Sequence, residues 1–472
     1  FDRLTMSGFL SFCMSRVINL EPKYNYKLYV SMAGAKERYI LGAGVTGLAA
    51  GMASGYTILE ALDRPGGICS SYYMDRKGRR LPFNSPGQEA AFRFEFGGGH
   101  WIFGGDPVVL QLIKSLTPLR PYQRKSSAYF RDSGKFVPFP VQNHLGHFPQ
   151  DIAAKALVEI LESHHRLWSA ESKRVMSEWM KCNFGATLFE LFFRPFHEKY
   201  TSGLWDRIAP QDVYKTPLDL EAVKAGATGN HIAPAGYNTS YFYPQGGLDK
   251  LAGKMAKKCR IRYRSELRRI HLKTRTLELA DGSRLGWDSL LCTLPLHQIL
   301  RLAGLKAGVA DPATSVLVLN IAGDKGPECP QDHWVYTPQS QAGFHRVGFY
   351  GNVEPDFLPA SSGRERLLSM YVEFSFREGK RPTAGQIARL GSAAVKELRD
   401  WNWLRSAAIC DPTWINTAYT WSWPSSTWKA KAARELGAFG IFPIGRYGRW
   451  VFQGIAESIK EGLVAGASLR MT

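Results

Sequence analysis

The residues whose types and spacing best define a chemistry are Gly42-Ala43-Gly44-Val45-Thr46-Gly47, a G-x-G-x-x-G turn. Tyr39-Ile40-Leu41 leads into it as a short buried strand, and Leu48-Ala49-Ala50 leads out as a helix. Gly42 allows the tight strand-to-helix turn, Gly44 lets a pyrophosphate approach the backbone, and Gly47 lets helix and strand pack closely. The N–H groups around Val45 and Thr46 then face the phosphates at a helix N-terminus. A second apolar run, Tyr56-Thr57-Ile58-Leu59, ends at Glu60, a carboxylate suited to ribose hydroxyls, and Gly66-Gly67 follows. Together they predict a dinucleotide site. Gly42 to Glu60 spans 18 positions, slightly under the usual ~20. Gly51 and Gly55 are also poor helix formers, so the supporting helix is expected to be trimmed.

The chain that must position these groups has 472 residues, enough for two or three domains. Aromatic residues make up 12% and charged residues 21%, the composition of a globular chain. No apolar run reaches the ~18–20 residues of a membrane span, so no membrane partner is expected. The net charge of +19 favours anionic ligands, but no basic block interleaved with aromatics points to nucleic acid. The seven cysteines are scattered without a C-x-x-C pair, as in a reduced, cytoplasmic chain.

Residues 1–31 read as a leader or remnant outside the fold. A dinucleotide-binding domain is expected from residues 32–104, 240–300 and 430–472. A helical substrate-binding insertion is expected over 105–239 and an antiparallel sheet over 301–429. Within these, Met74 to Glu89 reads as a surface loop and Pro107 to Leu116 as a helix. Phe136 to Asn143 is extended because two prolines forbid a helix. The fold class is α/β: a Rossmann-like FAD/dinucleotide-binding domain carrying a helical insertion domain and an antiparallel β-sheet domain.

Beyond the turn, five stretches bring the chain close to a known family. Gly98-Gly99-His100-Trp101-Ile102-Phe103 is a second glycine turn. Val137-Pro138-Phe139-Pro140-Val141-Gln142-Asn143 is a proline-rich loop. Phe193-Arg194-Pro195-Phe196 follows in the helical region. His333-Trp334-Val335-Tyr336 has Arg346 ten positions after its tyrosine, and Gly445-Arg446-Tyr447-Gly448 lies near the end. With the first turn they resemble the UDP-galactopyranose mutase family, especially its eukaryotic-type members. The resemblance implies a redox-neutral interconversion of pyranose and furanose forms of a nucleoside-diphosphate hexose on reduced FAD. The diphosphate would depart and return. It implies that Arg194 and Arg346 clamp the diphosphate as always-charged forks, that Tyr336 donates to phosphate, and that Asn352 lies in the substrate pocket. It places Gly98, Gly99, His100, Gly445 and Arg446 against the flavin, His100 more through its backbone than its imidazole.

The chain departs from the family at the base and sugar pockets. Phe139 and Val141 stand where the family has Tyr and Phe, and Val175 where it has an asparagine, while Gln142 and Trp179 remain. Trp423 and Phe452 replace tyrosines. The resulting expectation is a base other than uracil, with guanine favoured and Trp179 or Phe139 stacking on it. Gly454, Ile455 and Ala456 replace polar flavin contacts. A flavin-independent mutase assisted by Mn²⁺ or Mg²⁺ is therefore a further reading, although no ligand spacing marks a metal site. A flavin-dependent oxidoreductase of the amine-oxidase type is the alternative function. Self-association as a homodimer stays open.

Overall fold

A computed structural model describes residues 37–82, 87–165, 175–211, 218–229, 238–360 and 363–470. The expected leader lies outside the described residues. The turn-bearing unit begins with β1 (Glu37–Leu41), α1 (Val45–Ser54) and β2 (Thr57–Leu59). Its sheet is completed from later parts of the chain by β10 (Ile261–Arg262), β11 (Leu267–His271), β12 (Thr276–Leu279), β13 (Arg284–Cys292) and β19 (Ile441–Pro443). The order is β10-β2-β1-β13-β12-β11, with β19 also on β13. The contacts among β10, β2, β1, β13 and β19 are parallel, so side chains face helices on both sides and the strands read as continuous apolar runs.

The trimmed helix turns out to be a tightly seated one. All ten residues of α1 are buried, and Gly55 lies outside it as a left-handed cap at φ 74. A Cβ on Gly51 would come within 2.7 Å of Ile58 Cδ1. The helix-breaking residues thus serve close packing and termination. The terminal helix α11 (Ile455–Arg470) crosses α1 equally closely: Cβ atoms on Gly462 and Gly466 would lie 2.2 Å from Thr46 O and 2.4 Å from Ala50 O.

A second sheet runs β18-β14-β17-β16-β15-β7-β8. Its members are β7 (Ser126–Phe130), β8 (Lys135–Pro138), β14 (Ala313–Lys325), β15 (Trp334–Tyr336), β16 (Arg346–Phe349), β17 (Leu367–Arg377) and β18 (Leu404–Thr420). It is antiparallel except where β15 meets β7. Here the expected boundaries need correction. Residues 126–138, assigned to the helical insertion, supply two strands of this sheet. The 17-residue β18, which contains Asp411-Pro412, runs along the sheet edge, where a missing N–H is tolerated. A smaller sheet orders β5 (Ile102–Phe103), β9 (Ser240–Pro244) and β6 (Leu119–Gln123), and β3 (Ser71–Met74) pairs with β4 (Phe92–Glu95).

The helical layer contains α3 (Gln150–His165), α4 (Met176–Leu188), a π-helical turn at Phe189–Phe193 and α5 (Arg194–Tyr200). Its core gathers Phe184, Leu188, Phe192, Phe193 and Phe196 against Trp421 at the end of β18. The expected helix at 107–116 forms over those residues, with Asp106 accepting from Val108 N at its start.

Candidate active site

Where the three layers meet, a cavity of about 470 Å³ abuts the glycine turn. The turn is built as its spacing requires. Gly42 has φ +99, and a Cβ there would lie 2.4 Å from Thr293 Oγ1. A Cβ on Gly47 would lie 1.9 Å from Gly42 O, whereas one on Gly44 would have no atom within 4 Å. Two glycines therefore serve packing, and the third leaves open space on the cavity wall. Gly44 caps α1 without a side-chain hydrogen bond, leaving the first N–H groups, around Val45 and Thr46, available to an anion. Gly66 N donates to Ala43 O at 2.8 Å, bringing Gly66 and Gly67 beside the same notch.

Glu60 is buried, and its two oxygens accept from Ala43 N at 2.6 Å and Leu62 N at 2.9 Å. Each oxygen keeps a lone pair, but Glu60 is not among the residues that line the cavity, so its expected hold on a ribose hydroxyl is not seen at the wall. Across the cavity, Arg446 donates to Gln453 O at 3.2 Å and Ala418 O at 3.3 Å, and its guanidinium lies 4.7 Å from the Phe452 ring centre. Its Nε is buried without a hydrogen-bond partner among the described residues. Gly445 packs against Thr46, fixing Arg446 to the start of α1. The open notch, the uncapped helix and this orphaned donor fit a flavin dinucleotide. When bound, it would lie along Gly44, Gly67 and Arg446.

The second glycine turn forms the adjoining wall. Gly98 has φ +76, and a Cβ on Gly99 would lie 2.1 Å from Tyr371 Oη. His100 Nδ1 lies 3.3 Å from Gly98 O. Burial pushes the imidazole down to about 4, helped by Arg446, so His100 is neutral near pH 7.

On the opposite side, Arg346 forms a bidentate pair with Glu373, Nε to Oε2 at 2.9 Å and Nη2 to Oε1 at 2.7 Å. The two face each other in the β16–β17 register. Burial alone would raise Glu373, but the Arg346 guanidinium is the main force holding it at about 2. Tyr336 lies on β15 with its ring 4.7 Å from Phe139 and 5.3 Å from Phe196. Phe192, Phe193, Tyr419 and Phe452 continue an aromatic wall.

Not every expected residue reaches this wall. Arg194 is half-exposed, pairs with Glu190 one helical turn earlier and does not line the cavity. The expected two-arginine clamp is therefore not assembled: at the head of α5 the neighbouring phenylalanines turn inward and Arg194 turns out. Asn352 is a structural clamp, donating to Pro330 O at 2.9 Å and Asp332 O at 2.7 Å. Val141 and Gln142 are buried in a one-turn helix behind Phe139. Val175 caps α4, and Trp179 packs edge-on to Phe184 at 6.0 Å. Trp423 donates to Ala310 O at 3.0 Å and lies 5.5 Å from the Arg207 guanidinium. None of these six, from Asn352 to Trp423, is a wall residue.

His197, Tyr200, His345 and Glu373 line the cavity and were not singled out from the sequence. The one usable signal was the adjacency of His345 to Arg346 and of His197 to the Phe193–Phe196 stretch. No group of three or more His, Cys, Asp or Glu that could hold a metal ion occurs among the described residues. No described helix is long and apolar enough to cross a membrane.

Comparison with known proteins agrees with this geometry. The family model for flavin containing amine oxidoreductases matches residues 45–316. Among solved structures, the chain is similar to reduced UDP-galactopyranose mutase, with a TM-score of 0.78 and 21% identity over 92% of this chain and 95% of that one. It is also similar to a candidate protoporphyrinogen oxidase from Exiguobacterium sp. 255-15, with a TM-score of 0.67 and 14% identity over 93% and 100% of the two chains. Putrescine oxidase bound to putrescine aligns at a TM-score of 0.55 and 14% identity over 93% and 99%. These likenesses establish a shared fold, and the match over more than half its length identifies the chain as a member of the flavin-containing amine oxidoreductase family.

Proposed function

We propose that this protein is a flavin-dependent mutase that interconverts pyranose and furanose forms of a nucleoside-diphosphate hexose, with a GDP-linked sugar favoured over UDP-galactose. The observation that carries this reading is the charge of the cavity. Its wall holds two guanidinium groups, Arg346 and Arg446, and a single carboxylate, Glu373, among the described residues. The imidazoles of His100, His197 and His345 are all lowered by burial and add no charge near pH 7. An anionic ligand is matched; an ammonium finds its only carboxylate already engaged by Arg346.

In this reading a reduced flavin, when bound, supplies a nucleophilic ring nitrogen toward the anomeric carbon. The residues of this chain do the rest. Arg346 binds the diphosphate through its guanidinium, and Tyr336 donates to a phosphate oxygen. Phe139, Phe196 and Tyr419 exclude water, which strengthens these contacts and retains the leaving group. The turn at Gly98–His100 holds the sugar side of the cofactor site. Support for guanine comes from the apolar Phe139 ring, which lines the cavity where the resembled family has a tyrosine; Val141 and Trp179 stand off that wall and add nothing to it. A thermal-shift panel tests the base: GDP should protect the fold more than UDP, and stronger protection by UDP would reject guanine.

Amine oxidation is the second reading, favoured by the family match itself. Hydrogen peroxide released in proportion to a consumed amine would establish it and displace the mutase assignment.

A further inference from the structure

Glu373 stands between two cation-forming side chains. One carboxylate oxygen, Oε2, lies 2.9 Å from Arg346 Nε and 3.3 Å from His345 Nε2. His345 and Glu373 are each 2% exposed at the side chain and Arg346 is 22% exposed, so Arg346 is the member that a ligand in the cavity can reach. Neither ring nitrogen of His345 has a well-aligned hydrogen-bond partner among the described residues. Such a buried, unsatisfied imidazole beside a carboxylate is costly unless it is used.

We propose that His345 is the reserve counter-ion of Glu373: when a diphosphate takes up the Arg346 guanidinium, His345 binds one proton from solvent and replaces Arg346 as the carboxylate's cationic partner. This inference rests on the mutase reading and adds a proton to its binding step. No other covalent bond forms or breaks; the hydrogen bonds from Arg346 to Glu373 are exchanged for bonds to phosphate.

The balance of charge drives the exchange. In the free protein, Arg346 and Glu373 cancel and His345 is neutral. Burial is the main force lowering His345; Glu373 opposes it, while Arg346 and Lys199 reinforce it. A bound diphosphate cancels Arg346 and removes part of that repulsion, leaving Glu373 to draw a proton onto the ring.

The other groups facing this site are less suited to the task. On α5, Lys199 Nζ donates to Pro338 O at 2.7 Å, and His197 Nδ1 is held by Phe193 O at 2.7 Å with no carboxylate beside it. Burial raises the hydroxyls of Tyr371 on β17 and Tyr419 on β18, so both stay protonated near pH 7. Arg446 is a permanent cation.

The test is titration calorimetry of the holoenzyme at pH 7 with GDP-mannose and UDP-glucose. Both probes carry phosphates without an ionisation near neutrality. Each titration is run in two buffers of different ionisation enthalpy. The expected result is a buffer-dependent enthalpy corresponding to uptake of about half a proton or more per bound ligand, abolished in His345→Gln. Binding with the same enthalpy in both buffers overturns the inference and leaves the mutase reading intact. Unchanged uptake in His345→Gln also overturns it, moving the proton to another group. If neither probe binds the wild-type protein, the mutase reading fails and the inference with it. Should His345→Gln not fold, the wild-type buffer comparison still decides.

Discussion

Replacing Gly44 by alanine separates the cofactor site from the fold more cleanly than any other change at the turn. The backbone there has φ −66 and ψ 171, a conformation alanine adopts freely, and the new Cβ would meet no protein atom within 4 Å. Restricting the unfolded chain should stabilise by about 0.4–1 kcal/mol. Losing glycine at a helix N-cap should cost roughly 0.5–1 kcal/mol. The two nearly cancel, so the melting temperature of the flavin-free protein should stay within about 3 °C of wild type. The methyl group would nevertheless occupy the space through which a pyrophosphate approaches. Bound flavin, measured by its visible absorbance per protein and by titration with FAD, should weaken at least about tenfold, or 1.4 kcal/mol. Gly47→Ala is the contrasting variant. Its Cβ would lie 1.9 Å from Gly42 O, a backbone atom that cannot swing away, and the fold itself should suffer. Undiminished flavin affinity in Gly44→Ala would refute the reasoning; so would unfolding as severe as that of Gly47→Ala.

Other perturbations follow from the same geometry. Arg346→Met leaves Glu373 buried without its main partner, which should cost about 3 kcal/mol, near the low end for breaking a buried pair because Arg346 is partly exposed. The pH response should also weaken. In wild type, Glu373 is depressed from 4.5 to about 2, so its contribution is lost as pH falls through that window. In Arg346→Met, His345 is the cation left to offset burial, so the carboxyl should sit closer to its ordinary value and denaturant melts should show a smaller loss of stability below pH 4.5. His197 is lowered from 6.5 to about 4 by burial, so the unfolded chain binds its proton first. Urea midpoints should therefore decline between pH 6.5 and 4, and a shallower decline in His197→Gln than in wild type over that range would identify its share, since His100 is lowered in the same way. Arg194→Ala breaks only a half-exposed pair one helical turn long, so stability should change by less than about 0.5 kcal/mol. Nucleotide affinity should remain within about twofold of wild type. A hundredfold loss would mean that Arg194 swings into the cavity when ligand binds.

The parts of the fold that the sequence made legible are those where one local rule has one outcome. The steric demands on Gly42, Gly44 and Gly47 follow from a single turn: a Cβ on the first or third would collide with a neighbour, and one on Gly44 would face open space. The helix at Pro107–Leu116 has its proline at the first turn and its apolar spacing intact. What remained hidden depends on contacts distant in sequence. β7 and β8 join a sheet whose other strands begin at Ala313, nearly two hundred positions later. Glu373 enters the site only because β17 pairs with β16 in the register that sets it opposite Arg346. Arg194 shows the same limit from the other side. Its place beside Phe193 and Phe196 was readable, but the direction of its side chain depended on which face of α5 the aromatic core claimed. The departures at Val141, Val175 and Trp423 likewise changed residue character without revealing that these side chains pack away from the cavity wall.

The reaction proposed for this cavity is a redox-neutral rearrangement of a nucleoside-diphosphate sugar. It is tested most directly by incubating the dithionite-reduced, flavin-loaded protein anaerobically with GDP- and UDP-linked hexoses and resolving the sugar nucleotides by chromatography. The account predicts a furanose product that accumulates over many turnovers while the flavin absorbance stays that of the reduced form. Unaltered sugar nucleotides, together with amine-dependent flavin reduction and peroxide release in air, would contradict it.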